Sequence, residues 1–361
     1  MIRLATVFSG IGAIEQALLK DKEKYKIIFA CDNGERYVNI DKKKGKELKK
    51  LDINARTQEV KKIYDETKKN NYVKQSYFAN YDINECNWYE DIRFIDGKYY
   101  KNKVDLFVGG SPCQSFSIIG KKAGLNDARG TLFFEFARLI KEIQPKVFIY
   151  ENVPNILTHD KGNTWKVIKE VFQSLNYKFK YKVLNSLDFG IPQDRKRLFV
   201  IGFKDKSINF EFPIEKRTSA TMKEFLEQEP VATNHYLGKK GFEFVTNTKY
   251  KNRARVNRDI MQTQKANQQF NWNGDFVFVP YEKIKKFPNI LERAYVGEWN
   301  GKKGVCRQLT YKECMKLMGF SDAYKIVVPN RYAYRQAGNS IVVNVLQALI
   351  KEIKKVVDLN E

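Results

Sequence analysis

The chain has 361 residues, 43% of them apolar and 30% charged, which is enough for one large domain and a smaller one. A formal charge of +23 calls for a polyanionic partner such as nucleic acid, although an AT-biased genome that enriches lysine and asparagine gives the same sign. Five cysteines without a CxxC pair, and only two histidines, argue against a disulfide scaffold or any metal site and for a reducing compartment; nothing reads as a signal peptide or a membrane span, so a cytoplasmic chain is expected.

RLATVFSGIG at 3–12 reads as a strand and a tight glycine turn, AIEQALLK as the start of a helix, and YKIIFACD at 25–32 as a second strand ending in a carboxylate. Gly10 and Gly12 let the backbone approach a ligand, but Glu15 stands where a dinucleotide fingerprint wants its third glycine. An NAD or FAD site is therefore disfavoured, and a nucleoside with a charged tail suits the same crevice. Residues 33–90 read as helix and excursion on the sheet rim, with a lysine-rich run near the start, and FIDGKYYKNK as a hairpin or loop.

VDLFVGG at 104–110 is a buried strand leading into Ser-Pro-Cys-Gln. Pro112 fixes its own φ and keeps Ser111 extended, so the chain enters Cys113 with little freedom, as suits a thiol that must be aimed. The glycine-bearing stretch 114–131 reads as a mobile lid, followed by a helix stopped at Pro145. VFIYEN, a helix, YKFKYKVLN and LFVIGF continue the alternation to residue 203 and predict a doubly wound α/β domain. From 204 to 306 that rhythm fails, and KKGFEFVTNTKYKNRARVNR at 239–258 mixes cations with aromatics as a nucleic-acid surface does; a solvated loop is its rival. Thr310 and Glu313 form a capping-box pattern, and an amphipathic helix from Val342 is expected to return the chain to the first domain.

FSGIG, SPCQSFS, RGTLFF, ENV at 151–153, QDRKR at 193–197, RQLTYKECMKLMGF at 307–320 and QAGNSIVVNV at 336–345, in this order, resemble the bacterial type II-like DNA (cytosine-5) methyltransferase family. The resemblance implies a Rossmann-like, S-adenosylmethionine-dependent methyltransferase fold, with residues 1–203 and 307–361 catalytic and 204–306 a smaller target-recognition domain. It implies a catalytic set of Cys113, Glu151, Arg195 and Arg197, with Arg197 on the cytosine O2. Phe8, Gly10, Gly12, Asp32, Asp91, Ile92, Pro112, Leu132, Asn339 and Ser340 would hold S-adenosyl-L-methionine. Gln114, Ser117, Lys121, Lys122, Arg129, Arg253, Arg255, Arg258 and Arg307 would contact duplex DNA. The chain departs from the family at Thr6 and Ala13, where aspartate and glycine are common, and at Asp32, one methylene shorter than the usual glutamate.

Those residues imply transfer of a methyl group to C5 of a flipped-out cytosine by a monomer, with a restriction endonuclease acting separately as a partner. An RNA cytosine-5 methyltransferase and a catalytically idle DNA-binding protein are the alternatives; a thiol hydrolase lacks a histidine with a route to Cys113.

Overall fold

Apolar runs without polar alternation fold as strands buried on both faces, and four such runs make the centre of this molecule. The computed structural model describes residues 1–112, 132–268 and 270–360. In chain order these form β1 (Ile2–Val7), α1 (Ala13–Lys20), β2 (Tyr25–Cys31), α2 (Lys42–Lys50), α3 (Ile53–Asp65), α4 (Tyr72–Asn80), β3 (Trp88–Tyr89), β4 (Leu106–Gly109), α5 (Leu132–Ile143) and β5 (Val147–Asn152). There follow α6 (Asn163–Ser174), β6 (Lys178–Asn185), β7 (Gln193–Asp194), β8 (Lys196–Phe203), α7 (Lys239–Thr246), β9 (Ala254–Val256), β10 (Met261–Gln262) and β11 (Gly274–Pro280). The chain ends with α8 (Tyr281–Ile284), α9 (Pro288–Arg293), β12 (Gly297–Trp299), β13 (Lys302–Gln308), α10 (Tyr311–Lys316), α11 (Asn330–Asn339) and α12 (Val343–Lys354).

The main sheet runs β3-β2-β1-β4-β5-β8-β6, with β8 antiparallel to both neighbours and the other strands parallel. Alternate residues of each strand feed two cores. Leu4, Leu106, Ile149 and Ile201 face α1 and α12, whereas Phe107, Phe148 and Tyr150 face α5 and α6. The apolar residues of α5, Phe133, Phe136, Ala137 and Ile140, recur at helical spacing, so one stripe enters the second core. Phe148 stacks on Phe172 of α6 at 5.2 Å, and truncating a ring buried like this costs about 3–5 kcal/mol. The final helix returns to the first domain as its apolar face predicts, and Gln347 donates to Asp21 at 2.7 Å.

The 33–90 excursion stands over the carboxyl ends of β2 and β3. Leu48, Val60, Tyr64 and Phe94 form a small core there, joined by Val38 and Ile40. Its last helix, α4, leans on α11, where Tyr72 stacks on Tyr332 at 3.9 Å and Ser76 hydrogen-bonds Gln336. The segment after it, expected as a hairpin or loop, is two single turns of 3-10 helix at Ile92–Phe94 and Gly97–Tyr100. Asp91 and Asp96 accept the backbone N–H groups that open these turns.

Beyond β8 the chain first wraps the body built on the main sheet: Phe210 and Met222 are buried in the same core as α1 and α12. A separate sheet, β12-β13-β11-β9, then packs Phe276, Phe278 and Cys306 against Phe242 and Val245 of α7. Residues 261–262 leave that sheet and pair with β7 of the body. The cut at 306/307 falls inside β13, which runs on to Gln308. Arg307, expected on DNA, is instead fully buried. Its guanidinium donates to Glu229 at 2.5 Å and to Glu313 at 2.9 and 3.0 Å, because two carboxylates enclosed there need a cation. Glu313 also completes the capping box, accepting from Thr310 N at 2.7 Å.

Glu15 of α1 is fully buried, with one oxygen accepting from the Tyr77 hydroxyl and the other without a partner. Burial pushes its carboxyl up from 4.5 to about 7. Between those values the folded chain holds a proton that the unfolded chain has lost, so this group's stabilisation is lost as pH rises through the window, by roughly 3 kcal/mol in all. Glu15→Gln, which mimics the protonated acid, is therefore expected to flatten the fall in stability between pH 4.5 and 7 in urea titrations. An unchanged slope would show that Glu15 titrates normally.

Candidate active site

The glycine turn after β1 holds three positive φ values within five residues: Phe8 at 53°, Gly10 at 54° and Gly12 at 78°. Gly12 has no alternative, since a Cβ would lie 2.1 Å from the Tyr81 ring, whose hydroxyl donates to the Gly12 carbonyl at 2.7 Å. Phe8 is a strained non-glycine residue at the same turn, as backbone close to a ligand often is. Thr6 is buried and hydrogen-bonds Ser9 Oγ at 2.7 Å, so the place of the family's aspartate is taken by a neutral pair. This loop, the end of β4 and residues 339–341 line one cleft, which brings Phe8, Gly10, Asn339 and Ser340 together. A Cβ at Gly10 would meet nothing closer than 4.0 Å, so the space beside it is open.

Asp32 flanks that cleft at the end of β2. Its two oxygens accept from Gly10 N at 2.9 Å and Gly34 N at 2.8 Å, and burial nonetheless pushes the carboxyl up to about 6. Each oxygen keeps a lone pair for a further donor. Glu35 crosses to the tail: it accepts from Asn339 Nδ2 at 2.8 Å and pairs with Arg335. An open glycine turn beside an oriented carboxylate and a helix start fits an adenosyl group. Asp91 and Ile92 stand outside the cleft lining. The Asp91 carboxylate is taken by Arg93 at 2.6 Å and the Tyr64 hydroxyl at 3.0 Å, and Ile92 is buried in the second core. Leu132 opens α5 against that core.

Glu151 sits at the carboxyl end of β5, its Oε1 3.1 Å from Arg197 Nε. Burial pushes its carboxyl up while Arg197, then Arg195, pull against that. The approach is permitted by Gly110, where a Cβ would lie 3.0 Å from Glu151 Oε2 and 2.8 Å from its carbonyl oxygen. Beside it Asn152 Nδ2 donates to the Ser111 carbonyl and to the Tyr150 hydroxyl, each at 2.9 Å, and Tyr150 pairs with Ser111 Oγ at 2.8 Å. This clamp fixes the backbone one residue before Pro112. Sequence reasoning does not single out Ser111 and Tyr150; the available signal is a tyrosine directly before the Glu-Asn strand end. Cys113, Gln114, Ser117, Lys121, Lys122, Arg129 and the rest of the expected lid lie outside the described residues.

Arg195 revises an expectation. Instead of facing a base it is buried, with its guanidinium donating to the carbonyls of Gln264 at 2.8 Å, Gly338 at 3.0 Å and Ser340 at 2.7 Å. Removal from water, with Arg197 nearby, pushes it down to about 9. Gln193, also buried, joins the same junction by donating to Leu317 O and accepting from Gln264 N. On either side of β9 in the smaller sheet, Arg253 and Arg258 are exposed, the former over the Phe244 ring at 5.4 Å. Arg255 is half-buried, donating to Asn252 O and lying 4.0 Å from Asp275.

The profile of a family described as C-5 cytosine-specific DNA methylase matches residues 59–355. The type II methyltransferase M.HhaI of Haemophilus parahaemolyticus is 36% identical over 257 residues, covering 69% of this chain and 75% of that protein. M.HaeII of Haemophilus aegyptius is 36% identical over 245 residues, 68% and 72% of the two chains. Among solved structures, a Spodoptera frugiperda DNMT2 variant superposes with a TM-score of 0.67 at 17% identity, covering 98% of this chain and all of that one. The Entamoeba histolytica methyltransferase EhMeth gives 0.66 at 15%, covering 100% and 99%. These two show the fold alone. With the glycine turn, Glu151 and Arg197 assembled at one sheet edge, the chain belongs to the C-5 cytosine-specific DNA methylases: it is a DNA (cytosine-5)-methyltransferase that uses S-adenosyl-L-methionine.

Proposed function

We propose that Cys113 adds to C6 of a cytosine swung out of duplex DNA, and that Glu151 and Arg197 hold that base. The Glu151–Arg197 pair beside the Ser111–Asn152 clamp carries this reading, because the clamp holds Ser111, two residues before Cys113 in sequence, at the same edge. Cytosine C5 is a weak nucleophile until the ring's conjugation is broken. The Cys113 thiolate forms the Sγ–C6 bond, the displaced electron pair moves through the ring, and Glu151 gives its proton to N3. The same carboxyl accepts from the exocyclic amine, which uracil lacks, and Arg197 donates to O2. S-adenosylmethionine bound at Gly10, Asp32 and Asn339 supplies an electrophilic methyl. Once C5 carries it, loss of the C5 proton to a base re-forms the double bond, the Sγ–C6 bond breaks, and Glu151 recovers the N3 proton. Arg195 positions the strand that carries Arg197.

We assign sequence reading to the smaller sheet and its flanking turns, with phosphate and base contacts shared among Arg253, Arg255 and Arg258. The named relatives are type II methyltransferases, and a protective role beside a separate endonuclease fits them. Among the described residues no helix is long and apolar enough to cross a membrane.

Mapping methylated cytosines in DNA from cells expressing the chain would define its target. On that target, Cys113→Ser is expected to abolish methyl transfer and retain duplex binding. Glu151→Gln is expected to slow transfer by about a hundredfold or more, since it keeps the hydrogen bonds without the proton. A target cytosine carrying fluorine at C5 cannot lose that substituent as a proton, so the parent should form a denaturation-resistant adduct that Cys113→Ser does not. An adduct in the serine variant would place the nucleophile elsewhere.

Asp32 must be ionised to accept from two ribose hydroxyls. Because its carboxyl is pushed up to about 6, cofactor affinity should fall as pH drops from 7.5 to 5.5. Asp32→Ala should weaken binding by about tenfold or more at pH 7.5 and remove that dependence, read by calorimetry. Equal affinity in both proteins would move the ribose acid to another residue.

Alanine at Arg253, Arg255 and Arg258 should separate into two groups. Removing a phosphate partner weakens cognate and scrambled duplexes alike and lowers the salt slope, whereas removing a base-reading group costs about 1–3 kcal/mol on the cognate alone. Parental binding of both duplexes by all three variants across a salt series would put the footprint elsewhere.

A further inference from the structure

The mechanism leaves the excursion after β2 unused, and α2 is its most charged part. Six of its nine residues are lysine: Lys42, Lys43, Lys44, Lys46, Lys49 and Lys50, all exposed, with Glu47 the single acid. Lys46 has lysines three and four residues away on both sides, and like charges at those spacings repel. Three lysines occupy the first turn, which carries no acid, although the positive end of the helix dipole disfavours cations there. By contrast the neighbouring Lys61 and Lys74 both pair with Glu85.

This is not a loose solvated run. Asp41 caps the start of α2, Arg56 donates to the Lys49 and Leu51 carbonyls at its end, and Leu48 anchors it among Val60, Tyr64 and Phe94. A built, buried footing thus holds a field of unfavourable like charge in a fixed place. Such a field becomes favourable beside a polyanion.

Its place in the fold names the polyanion. Phe94, Val38 and Ile40, on which α2 rests, follow the carboxyl ends of β3 and β2. That is the edge at which β5 presents Glu151. Four strand spacings of about 4.8 Å separate β5 from β3, hence about 20 Å, or about six base pairs at 3.4 Å each. We propose that the lysine face of α2 is a second duplex-backbone site, which holds phosphates six or more base pairs from the target cytosine. The proposal rests on duplex DNA being the substrate and goes beyond the target-reading surface: it adds non-specific grip on flanking DNA.

The test uses the whole enzyme, with duplexes of 10 and 36 base pairs centred on the mapped target. Lys42→Gln/Lys43→Gln/Lys46→Gln is compared with the parent and with Lys178→Gln/Lys204→Gln/Lys206→Gln, which removes equal charge from the opposite sheet edge. On the long duplex the α2 variant should lower the slope of log affinity against log salt by about 0.9 for each phosphate it no longer neutralises, up to about 2.7. On the short duplex it should match the parent in binding and methyl transfer. A parental slope on the long duplex overturns the proposal, as does an equal loss in the opposite-edge variant, which would mean diffuse charge. Failure of the parent to methylate the long duplex would instead count against the catalytic reading, and the long-duplex binding slopes would still decide the role of α2.

Discussion

One buried cation ties this molecule's parts into a working whole. Arg195 is removed from water, and its two terminal nitrogens donate to carbonyl oxygens, of Gln264 on one side and of Gly338 and Ser340 on the other, while Nε is left without a partner. A guanidinium in that position holds planar, fixed donors, so three segments distant in sequence must meet in one geometry. Gly338 makes the meeting possible, for a Cβ there would lie 2.3 Å from the Lys265 carbonyl carbon. Two residues on, at the start of β8, Arg197 lies 3.1 Å from Glu151. The glycine-turn cleft, the Glu151–Arg197 pair and the root of the smaller sheet consequently share a hub, and a shift in any one is felt by the others.

Much of this is legible in the sequence, for physical reasons. Uninterrupted apolar runs such as VFIY demand two-sided burial, and β1, β4 and β5 lie where those runs lie. Gly10 and Gly12 are readable because only glycine tolerates such a turn cheaply. Glu151 and Arg197 are readable as a pair because family order places them on adjacent blocks, and they meet at 3.1 Å.

The rest is hidden because charge in a sequence carries no direction. Arg307 and Arg195 look like surface cations; both are interior, and what decides it is the carboxylates and carbonyls that long-range folding brings to them. Asp91 likewise looks like a ligand group, although Arg93, two residues on, claims its carboxylate. The mixed region after Phe203 is hard to divide because its first part packs on the body and a middle segment pairs with β7. Local composition does not distinguish a strap from a domain.

The reversed direction of β8 has an architectural consequence. Leu198 pairs with Asn152 and Phe203 with Val147, so the strand begins at the edge that carries Glu151 and ends at the far one. The chain therefore leaves the sheet at the end away from Glu151 and must climb back before the smaller sheet begins, with Phe210 and Met222 packed into the first core on the way. A recombinant exchange of target specificity between relatives that cut at Phe203 would replace this climbing segment together with the core side chains it inserts. Joining the modules beyond Met222 keeps the scaffold's own packing, and moves the smaller sheet as one cassette whose middle contact with the body is the pairing of residues 261–262 with β7.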